Sequence, residues 1–134
     1  MARILDVEGI GAVYAQKLAS IGIKTTNKLL KMGATPQDRE ALAEKTGIDG
    51  GLLLEWINHA DLFRIKGVGE EYSDLLEEAG VDTVPELAQR NPENLFATIQ
   101  QTNKDKKLVR QLPSQRQVTD WVHQAKTMER KIHY

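Results

Sequence analysis

Apolar residues recur along this chain at intervals of three and four, and no stretch alternates with the period of two that a half-buried strand requires. Ile10, Tyr14, Leu18 and Ile21 fall on one helical face, and Gly22 supplies a left-handed stop. Thr25 or Thr26 is then placed to cap a short helix carrying Leu29 and Leu30. Thr35-Pro36-Gln37-Asp38 is a start signal of three parts: a capping hydroxyl, proline at the first helical position and an acid two residues on. That helix holds Leu42 and ends at Gly47. Asp49 caps a strongly apolar helix, Leu52-Leu53-Leu54-Glu55-Trp56-Ile57, which continues through Ala60 and Phe63. The second half runs in the same order. Thr83-Val84-Pro85-Glu86 reads as a capping box with a proline inside it, Asn91-Pro92 opens the next helix, Asn103 stands where a left-handed cap is expected, and Ser114 caps the last helix with Trp121, Val122 and Ala125. The pattern predicts about eight short helices in an all-α fold.

The similarity of the halves extends to residue identity. Val7-Glu8-Gly9-Ile10-Gly11 returns 58 residues later as Ile65-Lys66-Gly67-Val68-Gly69, and Gly22, Thr25 and Leu29 fall on Gly80, Thr83 and Leu87. Asn91-Pro92 matches Thr35-Pro36 at an offset of 56, and Trp121-Val122 matches Trp56-Ile57 at 65. A fixed internal period implies a repeated supersecondary unit. We therefore read a single domain over 1–134, with one repeat over 1–64 and a second over 65–134. The growth in offset places a basic insertion at 104–113. No helix precedes the first glycine turn as the Trp56 helix precedes the second. A pseudo-twofold arrangement would let the Trp121 helix close onto the first turn, near Val7 and Ile10, within the chain or from a second subunit. Monomer and C-terminal-helix-swapped dimer are both compatible with this pattern.

Two glycines around one apolar residue permit a very tight turn and push the central side chain inward. The following helix begins at the second glycine, so its first N–H groups lack intrahelical partners and face outward. Such a helix start suits an anion, a phosphate oxygen in particular.

Composition sharpens the picture in three ways. Absence of cysteine excludes disulfides and thiolate metal sites. No apolar run approaches the roughly 20 residues of a bilayer span, and Met1-Ala2-Arg3-Ile4-Leu5-Asp6 lacks the form of a secretory signal, so a cytoplasmic protein is expected. The net charge of −1 conceals an asymmetry: residues 104–134 carry eight Lys and Arg against three carboxylates, leaving the remainder acidic. An anionic partner or self-association follows from that distribution.

Turn one resembles the helix-hairpin-helix motif at Val7, Gly9, Ile10, Gly11, Ala15 and Leu18, with Glu8 in the place of the motif's proline. Turn two resembles it at Ile65, Gly67, Val68, Gly69 and Leu76, with Lys66 for proline and Ser73 for alanine. Over nearly its whole length the chain looks like the bacterial domain of unknown function 4332 family of tandem helix-hairpin-helix repeats. What the motif does elsewhere implies backbone amides that hold a nucleic-acid phosphate without reading bases, at times with a monovalent cation. Carried to this sequence, the resemblance selects Gly9, Ile10, Gly11 and Ala12, with Lys17 in the helix that follows. The second set would be Gly67, Val68, Gly69 and Glu70. Charge opposes that second set. Glu70, Glu71, Asp74, Glu77 and Glu78 follow turn two, where the two first glutamates satisfy the helix macrodipole and leave no place for an anion.

Lys104, Lys106, Lys107, Arg110 and Arg116 are further candidates for a phosphate backbone. No aromatic residue lies among them, so base stacking is not indicated. Gly67-Val68-Gly69 lacks the third glycine and preceding strand of a dinucleotide fingerprint. Glu70, Asp74, Glu77 and Glu78 share a helical face that could hold a hard cation, but a solvated acidic face, or one that meets a basic partner, accounts for them more simply. His59, His123 and His133 have no ligand spacing, and no nucleophile–base pair can be read, so neither metal, cofactor nor catalysis is expected. Two functions from different classes follow. One is a sequence-nonspecific nucleic-acid binder using turn one and residues 104–116. The other is a protein-interaction or scaffold module using Glu70, Glu71, Asp74, Glu77 and Glu78.

Overall fold

The computed structural model describes residues 3–7 and 9–134. Glu8, the acidic residue of turn one, lies outside the described residues. A short 3-10 turn, Ile4–Asp6, is followed by eight α-helices among the described residues: α1 (Ala12–Ala19), α2 (Thr26–Met32), α3 (Pro36–Thr46), α4 (Gly50–Leu62), α5 (Glu70–Glu78), α6 (Val84–Ala88), α7 (Pro92–Lys106) and α8 (Gln115–Lys126). The all-α expectation is borne out. The only extended pairing described is a single antiparallel bridge between Arg3 and Thr25.

Local chemistry explains most boundaries. Thr25, not Thr26, caps α2, its hydroxyl accepting from the Lys28 N–H at 3.2 Å. Thr35 does the same for Asp38 at 3.1 Å, with Pro36 opening α3 and Gly47 closing it at φ +72°. Asp49 accepts from Gly51 and Leu52. Ser114 and Gln117 form a reciprocal box at the start of α8. Two expectations are corrected. Thr83 makes no capping bond, and Glu86 instead accepts from the Asp82 N–H at 3.1 Å. Asn103 is not a left-handed cap: α7 runs on to Lys106, and Lys107 takes the left-handed conformation at φ +53°. The Asn103 amide is used elsewhere, accepting from the Val109 N–H at 2.9 Å and donating to the Val109 carbonyl at 3.2 Å. It thereby braces the basic insertion.

The chain divides into two compact units, Met1–Asp61 with Arg130–Tyr134, and Leu62–Glu129. The first buries Val7, Ile10, Leu18, Ile23, Leu29, Leu42, Leu53, Trp56 and Ile57. The second buries Ile65, Val68, Leu75, Leu76, Val81, Leu87, Leu95, Ile99, Val118, Trp121 and Val122 as one cluster. The indole against the first turn is Trp56, where Trp121 was expected. Trp121 lies against Gly67 and its ring is 5.4 Å from that of Tyr72, whereas Trp56 lies against Gly9, 5.0 Å from Tyr14. Each tryptophan covers the glycine turn that opens its own unit. The place reserved for Trp121 in the first unit is filled by α4, which folds back on its own hairpin.

The last five residues were legible only as part of a basic tail. In the structure they form a strap on the first unit. Arg39, 8% exposed, donates through Nη1 to the Gly33 carbonyl at 2.9 Å and through Nη2 to the His133 carbonyl at 2.8 Å. The His133 N–H donates to the Ala34 carbonyl, Ile132 is buried, and the Tyr134 hydroxyl reaches Asn58 Oδ1 at 3.0 Å. The Arg39 guanidinium also sits 5.8 Å from the Tyr134 ring centre, within cation–π range. Arg39→Leu removes charge-assisted bonds to two carbonyls. It should cost about 2 kcal/mol in denaturant unfolding and raise amide exchange at His133 without changing helix content.

Candidate functional site

The first glycine turn is built from Val7 to Ala12. Val7 and Ile10 are buried, and the Ile10 N–H donates to the Val7 carbonyl at 3.1 Å, closing the turn. Gly9 between them has φ +90°, a region that side-chain-bearing residues avoid. A Cβ there would lie 3.2 Å from Trp56 Nε1, so a side chain would also press on the indole. Gly11 is the N-cap of α1 with extended backbone and no side chain to satisfy the first amides. The first helical bond inside α1 is from the Ala15 N–H to the Gly11 carbonyl. No carboxylate stands in the first turn of α1. Gly9, Gly11 and Ala12 are exposed, and Val13 is 69% exposed, so this helix end opens to solvent. Lys17 is exposed in the last turn of α1, roughly 7–8 Å along the axis from Ala12 at 1.5 Å per residue.

The second turn repeats the backbone and not the electrostatics. Gly67 has φ +96°, the Val68 N–H donates to the Ile65 carbonyl at 3.1 Å, and a Cβ on Gly67 would lie 3.0 Å from Trp121 Nε1. Glu70 and Glu71 occupy the first turn of α5. Gln124 clamps the turn from α8, accepting from the Lys66 N–H at 2.9 Å and donating to the Lys66 carbonyl at 3.1 Å. The amide end expected at Gly67, Val68, Gly69 and Glu70 is thus flanked by its own carboxylates.

The basic insertion and the acidic face, treated above as rival sites, meet within the second unit. Lys106 Nζ pairs with Glu78 Oε2 at 2.5 Å. The hydrogen bond and charge of Glu78, with a further contribution from Asp74, hold the Lys106 ammonium above the usual lysine range. The Tyr72 hydroxyl donates to the Gln111 carbonyl at 3.0 Å. Arg110 and Gln111 close one side of a shallow cleft whose other side is Gly67, Gly69, Glu70, Glu71 and Tyr72. Arg116 lies in a neighbouring cleft with Lys66, Gly67 and Asp120. Lys104 and Lys107 are exposed and are not part of either cleft. Asp74, Glu77 and Glu78 bring carboxylate oxygens within 4.8 Å of one another. Lys106 already supplies a positive charge there.

Sequence reasoning missed Gln124, Tyr14 and Tyr72 as parts of the turns. The two tyrosines repeat at the offset of 58, as the glycines do, and that spacing was the available signal. Gln124 had none, because the matching position in the first unit is His59.

The model of one protein family matches residues 8–128, described as Domain of unknown function (DUF4332). The chain belongs to this family. No curated protein and no solved structure matches it. No helix of this DUF4332 protein is long and apolar enough to cross a membrane, among the described residues.

The two glycines of turn one differ in what they require. Gly9→Ala should destabilise by about 1–2 kcal/mol, the cost of a left-handed alanine, and alter Trp56 fluorescence. Gly11→Ala, with negative φ and open space around the new methyl, should change stability by less than about 0.5 kcal/mol.

Proposed function

We propose that this protein is a non-enzymatic cytoplasmic binding module that holds a nucleic-acid backbone at its first glycine turn without reading bases. The observation that carries this reading is the amino end of α1: exposed, capped by a glycine, and free of carboxylates in its first turn. Backbone N–H groups at such an end, together with the helix dipole, favour a phosphate oxygen. Beyond Glu8 of the turn itself, the charge that follows has the right sign. From Gly9 to Gln37 the chain carries Lys17, Lys24, Lys28 and Lys31 and no aspartate or glutamate. The resemblance of Val7–Leu18 to the helix-hairpin-helix motif supports the same assignment.

On this reading Gly9, Ile10, Gly11 and Ala12 provide the cradle and Lys17 the adjacent charge. Lys104, Lys107, Arg110 and Arg116 add sequence-independent attraction, and Lys106, already paired with Glu78, adds less. The rival reading, a protein partner on the acidic face, is favoured by one observation. Glu70 and Glu71 are both exposed in the first turn of α5.

Fluorescence anisotropy on a random duplex, repeated across salt concentrations, tests the proposal. Affinity should fall steeply, with a logarithmic slope of roughly −0.9 per phosphate contacted. Ala12→Glu should stabilise α1 by about 0.3–1 kcal/mol through the dipole while lowering DNA affinity and flattening the slope. Lys17→Glu should weaken binding more than Lys106→Glu. Absence of binding at low salt removes the nucleic-acid reading and leaves the acidic-face alternative.

A further inference from the structure

The surface of the first unit carries an apolar groove that neither the glycine turns nor the basic segment uses. Its volume is about 500 Å³, and it is lined by Arg3, Ile4 and Leu5 on one side, Ala15, Gln16 and Ala19 of α1 on the other, and Lys24 and Thr25 at its end. The size falls in the range of sites that take a ligand or an anchoring side chain. Small residues one turn apart on α1 create the depression. Ile4 and Ala15 are buried in its floor, whereas Leu5 is 49% exposed at its edge.

The walls are fixed rather than loose. The Ile4 N–H donates to the Lys24 carbonyl at 3.1 Å, Arg3 bridges to Thr25, and the Arg3 N–H donates to Asp6 Oδ2 at 2.9 Å. A groove so braced is present before anything enters it, which reduces the ordering cost of association. It is also open to solvent, so a segment of another chain can reach it.

The rim decides the charge of the occupant. Arg3 and Lys24 stand at the groove, and Lys24 belongs to a stretch, Gly9 to Gln37, that carries no carboxylate. Asp6 accounts for part of the Arg3 charge, at 3.7 Å. Lys24 is exposed and has no ion-pair partner shown among the described residues. An apolar trough with a cationic rim is complementary to an aliphatic side chain flanked by carboxylates.

We infer that this groove is a docking site for an acidic peptide segment of a partner protein, with one or two aliphatic residues seated on Ile4, Ala15 and Ala19 and a carboxylate at Lys24. The site is separate from the amino end of α1 and stands whether or not that end holds a phosphate.

Random peptides displayed on phage, selected on the immobilised 134-residue chain, test this directly. The enriched sequences should combine Leu or Ile with Asp or Glu. As synthetic peptides they should bind Leu5→Asp and Lys24→Glu at least about tenfold more weakly than the parent protein, a difference of 1.4 kcal/mol. Val13→Asp, a change at an exposed apolar residue of α1 that does not line the groove, should leave them unaffected. Circular dichroism and thermal midpoints establish that each variant is folded, and the charge-reversed Lys24→Glu should gain affinity for the same peptides with Lys in place of Asp and Glu. Affinity for duplex DNA should be unchanged by Leu5→Asp, which separates this test from that of the glycine turn. No enrichment, enrichment without acidic residues, or binding indifferent to both groove variants overturns the inference. So does a concentration-dependent dimer lost in Leu5→Asp, which assigns the groove to a second copy. Displacement of the peptides by a fluorescent long-chain fatty acid assigns it to a lipid and overturns it equally.

Discussion

An indole pressed against a glycine is the contact on which each unit depends. Trp56 approaches Gly9 and Trp121 approaches Gly67 so closely that a methyl group on either glycine would be at or inside van der Waals contact with Nε1. The same two glycines have positive φ, so steric access and backbone dihedral impose one requirement at one residue. With the turn fixed in this way, the buried apolar residues on both sides, Val7 and Ile10 or Ile65 and Val68, have no alternative to pointing inward. The helix that follows must then start with its amides bare. The outward chemistry of the turn is therefore a by-product of how the tryptophan is packed beneath it.

Much of this was legible in the sequence because it rests on local and repeated features. Helix starts at Thr35, Asp49, Asn91 and Ser114 are written in residues within three positions of one another, and the glycine turns are written twice. Long-range choices were not legible. Which turn Trp121 covers depends on whether α8 folds back within its unit, and a repeat offset is silent on that. The capping box at Thr83 failed because a carboxylate at Glu86 can bond to either of two neighbouring amides, and the Asp82 N–H was the one in reach. The left-handed position moved from Asn103 to Lys107 because a side-chain amide with two useful bonds to Val109 is worth more inside the helix than as its terminator.

The electrostatic account changed in the same way. Composition separates an acidic body from a basic tail, but the fold puts Lys106 on Glu78 and Arg110 beside Glu70 and Glu71 in one cleft. Opposite charges that are distant in sequence thus cancel in part on the surface of the second unit. The lysines of the first unit, with no carboxylate between Gly9 and Gln37, have no such compensation in their own stretch. Net charge by segment pointed to the tail as the electropositive feature; after pairing, the amino-terminal unit has at least an equal claim.

The strap formed by Arg130–Tyr134 makes the first unit discontinuous in sequence: the whole of Leu62–Glu129 is threaded between two pieces of it. During synthesis, which proceeds from the amino terminus at about 5–20 residues per second, Arg39 must wait for some ninety residues before its acceptor at His133 exists. The amino-terminal unit begins first and finishes last. A ribosome that stops after Glu129 would leave a chain whose second unit is complete and whose first still lacks one acceptor for its guanidinium.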